Sequence, residues 1–259
     1  MLIAQGQLFN FVISILTFAA VYYFMKMAEK GKKIPSLREP AALSVLPELV
    51  GRASETARPI HFTQGFTGLR YSFATATNMA GFSILGRIAE LTVQMGGEVY
   101  ATVCAPDSYL VAAETIHNAY VRAGTTEKQP DVRFLSDSQM AYVSGCNSMM
   151  MDEKISVNVM VGYFGAETLL LGEGAVAAGA IGFGGTDVYP QIPFLLVTCD
   201  YVLIGPEVFS AGAILSKDKV LQGALVGQDV PSYVSLGLLI LGVILATFGS
   251  RVLESILRY

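Results

Sequence analysis

The sequence predicts an α/β fold: a Rossmann-like three-layer sandwich with a mostly parallel sheet, flanked by N- and C-terminal transmembrane helices. Three observations predict it. Apolar residues concentrate in two uncharged stretches near the ends. Between them, short β-branched runs alternate with longer helical patterns, the order that builds parallel sheets covered by helices. Those runs are almost continuously apolar, as strands buried on both faces are. The chain is 53% hydrophobic and only 15% charged, with a mean hydropathy of +0.51. Soluble domains carry about 25% charged residues, so the deficit has to be explained by where the apolar residues lie.

The first element is Leu8 to Met25, LFNFVISILTFAAVYYFM, eighteen uncharged residues with Asn10 as the one strongly polar side chain. As a helix it reaches about 27 Å, near the hydrocarbon thickness of a bilayer. Tyr22 and Tyr23 sit where aromatic belts form. A cleavable signal peptide carries positive charge ahead of its apolar core, but residues 1–7 are uncharged and Lys26, Lys30, Lys32, Lys33 and Arg38 follow it. This segment reads as a retained anchor whose basic flank faces the cytoplasm, with the N-terminus outside.

The expected layout is an anchor and basic flank over 1–33, a linker over 34–59, an α/β domain over 60–229, and a second membrane helix with its tail over 230–259. The linker holds four prolines and room for one short helix. Within the domain, strands are expected at Ile60–Phe62, Glu98–Ala105, Val132–Leu135, Ile155–Tyr163 and Phe194–Asp200. Helices are expected at Tyr71–Gln94, closed by Met95-Gly96-Gly97, and at Ser108–Arg122, closed by Gly124. Further helices are expected at Ser138–Met151, Ala166–Phe183, Pro206–Leu215 and Asp218–Val226. The second span is Val230 to Gly249, uncharged and about 30 Å long as a helix. Pro231 suits its first turn and Tyr233 an interface. Arg251 and Arg258 beyond it pull the orientation the other way, but the first basic cluster is denser and sets the expectation.

A net charge of −4 and the absence of a basic, aromatic-interleaved stripe give nucleic-acid binding no support. Cys104, Cys146 and Cys199 are odd in number and widely spaced, which argues against a disulfide framework and for a reducing compartment. They read as buried thiols, with Cys104 and Cys199 near strand ends; the Met149-Met150-Met151 run reads as core or interface filling. His61 and His117 are the only histidines, and neither has zinc-type spacing to other ligands. G-x-S-x-G is absent. No catalytic residue, metal site or cofactor is therefore expected.

Candidate ligand-binding residues come from position. In open α/β sheets, ligands bind outside the carboxyl ends of the strands. Asp107, Asp137 and Asp200 each follow an expected strand, and three converging carboxylates suit Mg²⁺ or a ribose. Asp107-Ser108 and Ser136-Asp137-Ser138 also read as ordinary helix caps, the stronger explanation of the two. Gly162 and Gly165, in the Gly162-Tyr163-Phe164-Gly165-Ala166-Glu167 stretch, lie between a strand and a helix, where a phosphate cradle belongs. The stretch has neither the dinucleotide fingerprint nor the P-loop lysine. The small residues from Gly172 to Gly185 read as a close-packing surface against the sheet or another subunit.

The final third carries Thr198-Cys199-Asp200-Tyr201, Ile204-Gly205-Pro206-Glu207, Phe209-Ser210-Ala211 and Gly227-Gln228-Asp229, with Gly184-Gly185-Thr186 just ahead. With the two-anchor layout, these stretches resemble an uncharacterised prokaryotic membrane-protein family of unknown function, bacterial and archaeal. The resemblance implies no activity and no catalytic residue. The function expected from the residues is a non-catalytic scaffold: a cell-membrane protein with a cytoplasmic α/β domain, partnered by the bilayer and by copies of itself or other membrane-complex subunits. Its charge-poor surface needs covering. The alternative is a membrane-tethered nucleotide- or metal-binding enzyme or sensor using the acid-rimmed crevice. A transporter subunit is weaker, because the spans hold no ionisable residue to mark a path.

Overall fold

The computed structural model describes residues 8–247. The predicted end of the second span at Gly249, the trailing Arg251 and Arg258, and the uncharged residues 1–7 lie outside them. The chain divides into two compact units, one formed by its two ends (up to Leu37 and from Lys217), the other by Arg38–Ser216.

The first unit is a pair of apolar helices, α1 (Leu8–Glu29) and α9 (Lys219–Thr247). Both are long and apolar enough to cross a membrane. Gly31, at φ +68°, turns the chain off the end of α1. A Cβ on Gly223 would lie 2.7 Å from the Phe24 carbonyl oxygen, and one on Gly227 would lie 2.5 Å from Val21 Cα. Gly223 and Gly227 form a G-x-x-x-G pair, which lets two helix backbones approach closely. This pair precedes the expected span, and the helix runs unbroken from it into the apolar stretch. Pro231 is therefore inside α9 rather than at its first turn. Its missing N–H removes one backbone bond from the ladder.

The second unit opens with α2 (Leu46–Glu55), after a 3₁₀ turn at Ala41–Val45. In this stretch, read as linker, Leu46, Leu49, Val50 and Ala53 are core residues. Strands β1 (Ile60–Thr63), β2 (Val99–Val103), β3 (Asp131–Phe134) and β4 (Val157–Val161) alternate with α3 (Ser72–Gln94), α4 (Pro106–Arg122) and α5 (Gln139–Asp152), close to the expected spans. Helix α6 (Glu167–Ala177) leads to β5 (Ile181–Thr186), then α7 (Ile192–Thr198), β6 (Tyr201–Ile204) and α8 (Glu207–Ser216).

Two expectations fail here. The helix expected over Ala166–Phe183 stops at Ala177, and Ile181–Thr186 is a strand; the strand expected over Phe194–Asp200 is helix α7. The cause is one packing arrangement. A Cβ on Gly182 would meet Cys199 Cα at 2.8 Å, and one on Gly184 would meet Cys199 Sγ at 3.1 Å. The glycines that weaken β5 as a strand signal are what allow α7 to lie flush against it. Helix α7 in turn buries Ile192, Leu195 and Thr198 at a spacing of three.

The six strands form one all-parallel sheet in the order β3-β2-β1-β4-β5-β6. Alternate side chains point to opposite faces. On one face Ile60, Phe62, Val159 and Val161 pack with residues of α2, α3, α4 and α8 in the main core. On the other, Met160 packs with Tyr142, Cys146, Leu171 and Leu195 from α5, α6 and α7. The β3 edge carries Asp131 and Arg133, paired at 2.7 Å. Charges at a sheet edge oppose unwanted strand pairing.

Candidate functional site

Every strand delivers its carboxyl end to one rim of the sheet. Between β1 and β4 the strand order reverses, and such a switch point is where open α/β sheets form a crevice. Here the floor of that crevice is occupied by the protein itself. Gln64, fully buried, follows β1; its amide nitrogen donates to the Thr67 carbonyl at 3.1 Å and to Ser108 Oγ, while Oε1 has no partner among the described residues. Asn78 on α3 donates from Nδ2 to the same Thr67 carbonyl at 2.7 Å, and its Oδ1 accepts the Tyr163 N–H at 2.8 Å. The two loops touch directly. A Cβ on Gly162 would lie 2.3 Å from the Gln64 carbonyl oxygen, and one on Gly65, at φ +89°, 2.8 Å from the Phe164 ring.

Glu167 completes the closure. It is 1% exposed. Its Oε1 accepts the Phe66 N–H at 3.1 Å and its Oε2 accepts Gln139 Nε2–H at 2.6 Å. It stands in the first turn of α6, where a helix favours negative charge. The anion suited to that helix start is thus a side chain of the chain itself. Gly165 accommodates it: a Cβ there would be 3.1 Å from Glu167 Oε2. Gly162 and Gly165, expected as a phosphate cradle, are close-approach positions in this arrangement.

The three expected carboxylates do not converge. Asp107 is on the carboxyl rim, where Oδ2 accepts the Arg70 N–H at 2.9 Å and Oδ1 the Ser108 N–H at 2.7 Å, fastening the loop after β1 to α4. Asp137 is exposed in the turn after neighbouring β3, and Ser136 Oγ, not Asp137, accepts the Ser138 N–H at 3.0 Å. Asp200 precedes β6 instead of following a strand, so it lies on the opposite, amino rim; its Oδ2 accepts the Gly182 N–H at 2.8 Å. The relocation follows from the exchange of strand and helix at β5–α7. Among the described residues no group of three or more His, Cys, Asp or Glu is placed to hold a metal.

The residues that do come together are ones the sequence reading left aside: Gln64, Gly65, Asn78 and, across the sheet, His61. His61 lies fully buried in β1, with Nδ1 2.7 Å from Asn158 Oδ1 and Nε2 2.8 Å from Thr102 Oγ1. Tyr142 joins the network from α5, its hydroxyl 2.6 Å from Thr63 Oγ1 and 3.0 Å from the Thr102 carbonyl, to which it donates. Burial holds the His61 imidazole down, to about 4. His117 is exposed on α4. All three thiols are free; burial pushes Cys104 up to about 12 and Cys146 and Cys199 up to about 11. Cys104 follows β2 and Cys199 precedes β6, so they occupy opposite rims. The sequence signal for the crevice floor was Gly65-x-x-Gly68, set between the first strand and the first helix of the sheet.

The chain matches a family model described as a domain of unknown function (DUF6754) over residues 2–257. No curated protein and no solved structure matches it.

Proposed function

The chain belongs to the DUF6754 family, a domain of unknown function, and on that premise we propose that it is a two-span cell-membrane protein whose cytoplasmic α/β unit assembles side by side with further copies of the chain. Helices α1 and α9 are its anchors, and the basic flank after α1 sets the orientation. The sheet order 3-2-1-4-5-6 is that of Rossmann-like sandwiches. The observation that carries the assembly reading is the flank formed by α6 and α7. Val197 is 82% exposed, Val176 60% and Leu196 54%, with Phe194 and Leu170 beside them. Helix α7 has no charged residue, and the one exposed charge on α6 is Glu173. Exposed apolar surface of this kind marks contact sites. Two anchors hold copies at one height and orientation, which raises their effective concentration.

A filled crevice floor favours this reading over a nucleotide- or metal-binding sensor or enzyme, because a ligand there would have to break the hydrogen bonds of Gln64 Nε2, Asn78 and Glu167. The test is extraction in mild detergent followed by mass photometry. Wild type is expected as discrete multimers, and the double variant Leu196→Glu/Val197→Glu as monomers with an unchanged circular dichroism spectrum. A monomeric wild type overturns the proposal.

A further inference from the structure

Where α1 ends and α9 begins, the first unit encloses a cleft of about 230 Å³, lined by Ala28, Gly31, Lys32, Lys33, Lys219 and Gln222 among others. Three lysines thus border one small space. None of the three makes an ion pair among the described residues, whereas Lys26, a turn earlier, is taken by Glu29 at 2.6 Å. The nearest acid in sequence, Asp218, turns its Oδ1 to the Val220 and Leu221 N–H groups at the start of α9, at 2.8 and 3.2 Å.

The backbone of the cleft is fixed. Gly31 adopts φ +68°, the Gly31 N–H bonds to the Ala28 carbonyl and the Lys32 N–H to the Met27 carbonyl, both at 3.0 Å. This left-handed helix cap swings Lys32 and Lys33 back toward α9. On the other side, Gly223 brings α9 against Ala28, with a would-be Cβ 2.9 Å from Ala28 Cβ. A cleft with a set backbone, an apolar wall and three unpaired cations stands at the margin of two apolar helices. That is the level of lipid headgroups.

We propose that this cleft binds the phosphate of an anionic phospholipid, held by Lys32, Lys33 and Lys219. The inference rests on the membrane-spanning reading of α1 and α9. Lysines present point charges to phosphate, and each basic residue at a headgroup surface is worth about fivefold in binding. A lipid phosphate there ties the end of α1 to the start of α9, where the chain would otherwise hold like charges together.

The full chain, purified in mild detergent and stripped of lipid, is examined by native mass spectrometry with phosphatidylglycerol, phosphatidylcholine or inorganic phosphate. Phosphatidylglycerol adducts are expected to exceed phosphatidylcholine adducts by on the order of a hundredfold. The preference should vanish in Lys32→Gln/Lys33→Gln/Lys219→Gln and persist in Lys26→Gln. Equal binding of the two lipids overturns the proposal, as does a triple variant that keeps the preference or phosphate adducts without lipid preference. A chain that stays dispersed and folded without detergent would instead overturn the membrane reading, and that is read before any lipid is added.

Discussion

His61 sets a pH dependence that can be worked out from its surroundings. Its folded-state value near 4 lies below the usual 6.5 because burial disfavours the imidazolium. The unfolded chain binds a proton near pH 6.5 that the folded chain refuses until near pH 4. Stability is therefore complete above pH 6.5 and falls as pH drops through that window. The loss should reach about 2 kcal/mol by pH 5. Denaturant midpoints from pH 7.5 to 5 check it, and a flat profile contradicts the buried neutral histidine. In His61→Gln the slope over that range should be shallower. None of this was legible beforehand. A lone histidine after a proline-marked stretch shows its role only when Asn158 and Thr102 arrive from strands far away in sequence.

At the scale of elements, the helices and strands from β1 to β4 were legible because their apolar residues recur at the helical or extended period and their ends carry glycine. The exchange at β5 and α7 was not. Gly182, Gly184 and Gly185 depress strand propensity, and their purpose appears only once Cys199 and Leu195 are seen resting on them. Asp200, one of the candidate ligand residues, moved to the other rim through the same exchange. Asp107 kept its rim but does not cap α4, whose N-cap is Ala105; from the first turn of that helix it holds the Arg70 N–H of the loop after β1. A helix was expected over Asp218–Val226, but its continuity with the second span in α9 was hidden, since Gly223 and Gly227 precede the long apolar run that defines a span by hydropathy. That pair has a sharp consequence. Gly227→Leu places a side chain where a Cβ already lies 2.5 Å from Val21 Cα, so α1 and α9 must separate. The expected cost is about 2–4 kcal/mol of stability, measured as a lowered Tm of the detergent-solubilised chain; Gly237→Leu, with nothing within 4 Å of its would-be Cβ, should leave Tm unchanged.

For the molecule as a whole, charge separates along the chain. From Arg38 to Ser216 there are seventeen acidic residues against nine Lys or Arg, while the remaining eight Lys and Arg lie in the terminal unit with four acids. The orientation is open to a direct check. A Ser36→Cys variant in intact cells should resist a membrane-impermeant maleimide and react only after permeabilisation; labelling of intact cells would place the basic flank outside. The native thiols, two buried and Cys199 half-buried, have raised pKa values and should react slowly at pH 7.

The α6–α7 flank belongs to a longer run, Ile155 to Ser216, that contains no lysine, arginine or histidine. Trypsin has nowhere to cut between Lys154 and Lys217, and amine-directed cross-linkers have nothing to grip there. Neighbouring copies joined through this surface would leave no trace in a conventional lysine cross-linking map. Carboxylate-directed reagents at Glu173, or a photo-reactive residue at position 197, would find the contact that the usual chemistry passes over.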